Sequence, residues 1–259
     1  MVLSRLEHNY KIGYKIYMIQ LPYKKPTKIC FREGNPKIDK NKKIKGLQKY
    51  SILRLNLAPA DLSGFNVCAM ASKGCKKACL HTAGNPVFQE QKNKGRINRA
   101  RWYFQERETF IKKLIKEIFN HKIYCNKNNL KPVVRLNTTS DIHWENFNIF
   151  NMFPTVQFYD YTKIPKRIFK YIKKEYPKNY HLTFSLNETN LDTSFEVLKA
   201  GGNVAIVFRN ELPKIYKGYK VINGDEVRGD LRFLDPQNVI VGLKAKGKAK
   251  TDYTGFVLD

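Results

Sequence analysis

The sequence predicts an α/β protein: a TIM-like β/α barrel, complete or incomplete, with mostly parallel strands and an N-terminal extension. Three observations predict it. From Pro132 onward, short apolar runs alternate with amphipathic ones, and helices between strands mean crossover connections and a parallel sheet. The expected strands end in polar residues, as the catalytic rim of a β/α barrel does. The chain has 259 residues and is 42% hydrophobic, enough for one large domain with a real core.

Residues 1–50 read as a basic extension packing on the barrel, and 51–259 as the barrel domain. Within the extension, Tyr14–Leu21 reads as a strand, Gly34-Asn35-Pro36-Lys37 as a turn, and Lys40–Lys45 as too charged to bury. Ser51–Leu57 alternates like a strand. The loop Ala58–Gly64 then leads into three cysteines. A long helix is expected from about Arg96 to His121, with Phe110, Leu114 and Ile118 at i, i+4 spacing. Strands follow at Pro132–Thr138, Thr155–Tyr161, Tyr180–Leu186, Asn203–Phe208, Tyr219–Ile222 and Val239–Leu243. A basic helix running to Tyr176 and another at Leu191–Ala200 separate them, the second ended by Gly201-Gly202.

Lys+Arg number 48 against 22 Asp+Glu, a net charge of +26. Such a surface attracts polyanions, so nucleic acid or another anionic substrate is an expected partner. The excess is mostly Lys, however, and Lys, Asn and Ile are all plentiful, as A/T-rich coding produces. Phosphate readers favour the planar fork of Arg, so generic basicity weighs slightly more. No apolar run approaches the ~20 residues of a membrane span, which speaks against a membrane protein. Tyr10–Tyr23 mixes Lys, Gln and Tyr with its apolar residues, unlike a secretory signal.

Of the five cysteines, Cys30 and Cys125 are isolated and read as small hydrophobes, Cys30 remaining a candidate ligand. Cys68, Cys75 and Cys79 share one short loop with spacing C-x6-C-x3-C. Lys73, Gly74, Lys76 and Lys77 lie between them, which is not a core composition. Thiolates suit zinc or iron–sulfur clusters. Structural zinc wants four closed ligands, often in CxxC pairs, and no CxxC is present. His81, two residues beyond Cys79, reads as a polar loop residue more than as a ligand. Three thiolates without an obvious fourth point to a [4Fe–4S] cluster, with zinc the weaker alternative. The rim residues Asn137, Ser140, Asp141, Lys163, Asn187 and Arg209 are candidates for binding a cofactor, although each alone also fits strand-end capping.

Four segments carry a family resemblance. They are Gly34–Lys37; Asn56-Leu57-Ala58-Pro59 with the three cysteines; Asn137-Thr138-Thr139-Ser140-Asp141; and Asp230-Leu231-Arg232-Phe233 with Gly242–Gly247. Together they resemble the bacteriophage gene product 88 family from about Gly34 to the end of the chain. The resemblance implies a protein working in the cytoplasm of an infected host cell. More distantly, the cysteine triplet after the first barrel strand, and Ser140-Asp141 followed by Tyr161–Arg167, are similar to radical S-adenosylmethionine (SAM) enzymes. That likeness implies Cys68, Cys75 and Cys79 as cluster ligands and SAM on the fourth iron. The spacing departs from the CxxxCxxC of those enzymes, and no Gly-Gly-Glu follows the second strand. The expectations are therefore an iron–sulfur protein, as a SAM-dependent radical enzyme or as a non-catalytic nucleic-acid binder with a structural or redox-sensing iron–sulfur or zinc site.

Overall fold

The structure, a computed structural model, describes residues 20–32, 45–82, 88–225 and 230–259. The expected turn at 34–37, the charged run at 40–44 and most of the strand expected at 14–21 lie outside these. The strands are β1 (Cys30–Phe31), β2 (Tyr50–Leu55), β3 (Lys131–Arg135), β4 (Gln157–Thr162), β5 (Tyr180–Ser185), β6 (Val204–Phe208), β7 (Ile215–Tyr216), β8 (Tyr219–Asn223), β9 (Ile240–Lys244) and β10 (Val257–Leu258). The helices are α1 (Lys73–Lys77), α2 (Gln89–Gln105), α3 (Arg107–Lys127), α4 (Ile149–Met152), α5 (Pro165–Ile172) and α6 (Leu191–Lys199).

The strands form one mostly parallel sheet in the order β1-β2-β3-β4-β5-β6-β9-β8-β7, with β10 added beside β6. The pairs from β2 through β6, β6–β9 and β8–β9 are parallel. The short β1–β2 and β7–β8 pairs are antiparallel. Among the described residues this path runs from β1 to β7 without closing. Because β2 to β6 run side by side in chain order, their C-terminal ends share one rim.

Alternation along the strands divides the interior in two. Leu53, Val134, Phe158, Leu182 and Ile206 face a large apolar layer that includes Phe110, Leu114 and Ile118 of α3. Ile52, Val133 and Tyr159 face the other way, toward Leu231. The strand period of two produces this split, since neighbours such as Ile52 and Leu53 point to opposite faces. The second face carries charge. Asp230, 1% exposed, accepts from Tyr159 Oη (2.8 Å) and pairs with Arg135.

The long helix expected from Arg96 to His121 is two helices, broken at Glu106, whose backbone (φ −137°, ψ 58°) is not helical. Tyr23 and Lys25 both hold the Glu106 carboxylate, so a segment eighty residues away fixes the break. The bend sets Trp102 edge-on to Phe110, with ring centroids 5.5 Å apart. The chain also enters α2 at Gln89, about two turns before the expected start.

Candidate functional site

The cysteine loop leaves the C-terminal end of β2 and crosses the ends of β3 and β5. At β3, Asp141 N–H donates to Val67 O (2.8 Å), and the Cys68 thiol donates to Thr139 O (3.7 Å). Thr139 Oγ1 reaches back to Leu57 O (2.7 Å). At β5, Asn187 Nδ2 donates to Met70 O (3.3 Å).

The next residue, Glu188, grips the loop harder. Its carboxylate accepts from Ser72 Oγ and from Gly74 N–H, both at 2.6 Å. Ser72 is the N-cap of α1, and its Oγ accepts from Cys75 N–H (3.2 Å). Gly74 is required by close approach. A Cβ there would lie 2.0 Å from Thr254 Oγ1 and 2.9 Å from both Glu188 Oε1 and Phe256 Cβ. Cys75 then packs with Ala78, Val207, Ala245, Ala249, Phe256 and Val257. The serine cap before the second cysteine is a signal that sequence patterning can detect. Glu188 has none, because it meets the loop only once β5 is in place.

The three thiols lie within electrostatic reach of one another. Burial pushes the Cys68 thiol up to about 12, against a lowering by the Ala60 N–H, which donates to its sulfur at 3.4 Å. Burial also raises Cys79, and the backbone N–H of His81, Lys163 and Arg96 oppose it. Lys163, which follows β4, and Arg96, on α2, are thus the two cations whose charge acts on this sulfur. Among the described residues neither is ion-paired. Lys163 Nζ donates to Ser185 Oγ (2.9 Å) and Arg96 Nη1 to Asn93 Oδ1 (3.0 Å). Burial, then Arg96 and Lys248, lower the pKa of His81.

Among the described residues, no three His, Cys, Asp or Glu side chains converge as donors on a single metal position. Thiolate sulfur is nonetheless the donor type that iron–sulfur clusters take. Three soft sulfurs are carried on one rim loop, and the buried Nδ1 of His81, two residues after Cys79, has no hydrogen-bond partner among the described residues.

The other expected site residues divide. Lys163 is brought to the cysteines, and Asn187 holds their loop from beneath. Asn137, 2% exposed, is spent on its own loop: its Oδ1 accepts from Ser140 Oγ (2.9 Å), Ile142 N–H (2.9 Å) and Trp144 Nε1 (3.0 Å). Asp141 is committed to Arg167 Nη1 (2.5 Å), Lys163 N–H (2.8 Å) and Thr162 Oγ1 (3.1 Å). Arg209 is not brought to the cysteines. Its guanidinium clasps the last segment of the chain through Asp259 Oδ1 (2.5 Å), Asp252 O (2.6 Å) and Lys250 O (2.9 Å). Cys30, in β1, packs in the apolar layer, its N–H donating to Glu117 (2.8 Å), and is not drawn into the trio.

A cysteine loop strapped across the C-terminal rim of a mainly parallel sheet marks this as an α/β protein whose candidate site lies at the strand ends. The gene product 88 family model matches residues 29–259, and the chain belongs to that phage family. No curated protein and no solved structure matches it. The family match lends no support to the likeness to radical SAM enzymes.

Proposed function

We propose that the chain binds a [4Fe–4S] cluster through Cys68, Cys75 and Cys79. The observation that carries this reading is the grouping of three thiols on one rim loop that is held from two strand ends. Zinc fits less well. A single ion needs its donors to converge on one point, whereas a cubane takes each thiolate at a different iron corner. A cluster with three thiolates carries net negative charge, and Arg96 and Lys163, whose charges act on Cys79, supply the opposite sign.

Two roles are open to such a centre. With one iron open, SAM would bind there and the cluster would supply an electron for radical chemistry. In that role Lys163 would orient the ligand, and Asn187 and Glu188 would keep the loop rigid. The strands β2 to β6 would then be the consecutive wall of an incomplete β/α barrel, whose chemistry sits at this rim. The second role is a structural or redox-sensing centre in a protein that binds nucleic acid, favoured by the net charge of +26. Either would operate in the infected host cell.

Anaerobic purification with iron, sulfide and zinc analysis and visible absorption tests the reading. A brown protein is expected, with Cys68→Ala, Cys75→Ala and Cys79→Ala each bleaching it and Cys30→Ala not. A colourless protein holding only zinc, or three single variants with full iron, would overturn it.

A further inference from the structure

Residues 252–257 form a turn that is firmly braced. Asp252, 1% exposed, accepts from the N–H groups of Thr254 and Val257, both at 3.3 Å, and from Thr254 Oγ1 at 3.0 Å. Tyr253 stands on this turn, 82% exposed. The Arg209 guanidinium lies over its ring, with Cζ 4.3 Å from the centroid. That guanidinium is itself fixed by Asp259 Oδ1, Asp252 O and Lys250 O. One face of the ring is therefore backed by a held cation, and the other is open to water.

We propose that Tyr253 is a stacking platform for a base of single-stranded nucleic acid, with Lys244, Lys248 and Lys250 meeting its phosphates. This rests on the nucleic-acid role named above and is independent of the cluster. Single exposed apolar side chains are ordinary on protein surfaces. This ring differs in being held before any partner arrives, so stacking on it costs little ordering. Every base has a π-face, and an arginine beside the stack adds a cation–π contribution. A duplex hides its base faces within its own stack, so the ring suits a single strand.

Charge complementarity selects the same partner. Lys248 and Lys250 lie on the 3-10 turn Gly247–Thr251 that leads into Asp252, and Lys244 ends β9; all three are exposed. The acids of this region are engaged: Asp252 by its turn, Asp259 by Arg209, and Asp225 by Lys246 (2.7 Å). Lysine is depleted from protein–protein contact surfaces, whereas a single strand takes a cationic track beside its stacking rings. The platform also adjoins the cysteine loop. Thr254 and Phe256 close over Gly74, and Cys75 packs with Phe256 and Val257. A strand stacked on Tyr253 is held beside that loop.

Fluorescence anisotropy of the full chain with fluorescein-labelled oligothymidylate, oligouridylate and a DNA duplex, over a salt series, tests this. Whichever single strand binds more tightly names the kind it takes. Tyr253→Ala should weaken single-strand binding by roughly tenfold to a hundredfold, leave duplex binding unchanged and keep its Tm. Tyr253→Phe should bind as the wild type does. Lys248→Gln combined with Lys250→Gln should lessen the salt dependence by about two phosphate contacts. A Tyr253→Ala variant that binds single strands as tightly as the wild type, or that loses duplex binding equally, would overturn the platform while leaving the nucleic-acid role standing. A wild-type chain that binds no oligonucleotide would overturn both and leave the cluster reading untouched. Self-association abolished by Tyr253→Ala, with no oligonucleotide bound, would overturn the proposal by making the ring a contact between two copies.

Discussion

Replacing Asn137 with Ala should cost this protein a large share of its stability, because one buried amide organises the turn beneath the cysteine loop. Its Oδ1 serves Ser140 Oγ, Ile142 N–H and Trp144 Nε1, and its Nδ2 donates to Ile142 O at 2.9 Å. Ser140 can rotate its hydroxyl to another acceptor. Ile142 N–H, Ile142 O and the indole N–H of Trp144, which is 0% exposed, are fixed. Each buried group left unpaired costs about 1–3 kcal/mol. Water entering the vacated space recovers part, so the net loss should be about 3–5 kcal/mol. At about 2–4 °C per kcal/mol for a domain of this size, Tm should fall by roughly 10 °C. Urea unfolding followed by tryptophan fluorescence measures the loss, and calorimetry measures Tm. Because Thr139 O holds the Cys68 thiol, labelling of Cys68 under native conditions should also quicken. A loss below about 1 kcal/mol would refute the reasoning, since the expected cost of even one orphaned group would then be missing.

Two further outcomes follow from neighbouring geometry. Burial raises the Asp160 carboxyl to about 7, against the Asn137 N–H, Arg167 of α5 and Arg135 of β3; Asp141 adds to the rise and Tyr180 of β5 stands beside it at 3.4 Å. The folded protein thus holds this proton to higher pH than the unfolded chain does. The stability this proton contributes is full below about pH 4 and is lost as pH rises toward 7, at up to about 1.4 kcal/mol per pH unit. Asp160→Asn should flatten that slope in urea midpoints taken between pH 5 and 8; an unchanged slope would discard the assignment. Gly74→Ala should destabilise by about 1–3 kcal/mol through its clash with Thr254 and Phe256. Thr254→Ala should restore part of it, and a double variant no better than the single would remove the clash as the cause.

What could be read from the sequence were features that carry their own signal. The strand alternation from Val133 to Val241 and the apolar stripe of α3 are local periodicities, and the structure places strands and helix there. Three cysteines among lysines stand out for the same reason. The features that escaped depend on distant partners. The break at Glu106 is set by Tyr23 and Lys25. β1 and β10 are two residues each, too short to show a period. Glu188 and Gly74 acquire their roles only when the end of β5 and the last residues of the chain close on α1. Arg209 stands at a strand end as expected, but residues 250–259 reach it first and take its guanidinium.

The arginines also change what the net charge means. Arg54, Arg99, Arg135, Arg167 and Arg232 are all at most 7% exposed. Arg99 Nε is spent on Asn56 O (2.8 Å), and the half-buried Arg101 on Ser63 O (2.9 Å) and Pro22 O (2.6 Å). Arg167 serves Asp141 and Glu145. The side chains best suited to grip phosphate are thus largely consumed in building the fold. The remaining surface excess is mainly lysine, which attracts a polyanion without reading it. Cations whose placement implies a specific anion are those left unpaired near the interior. Among the described residues Arg96 and Lys163 both belong to this group, and the charge of both acts on Cys79.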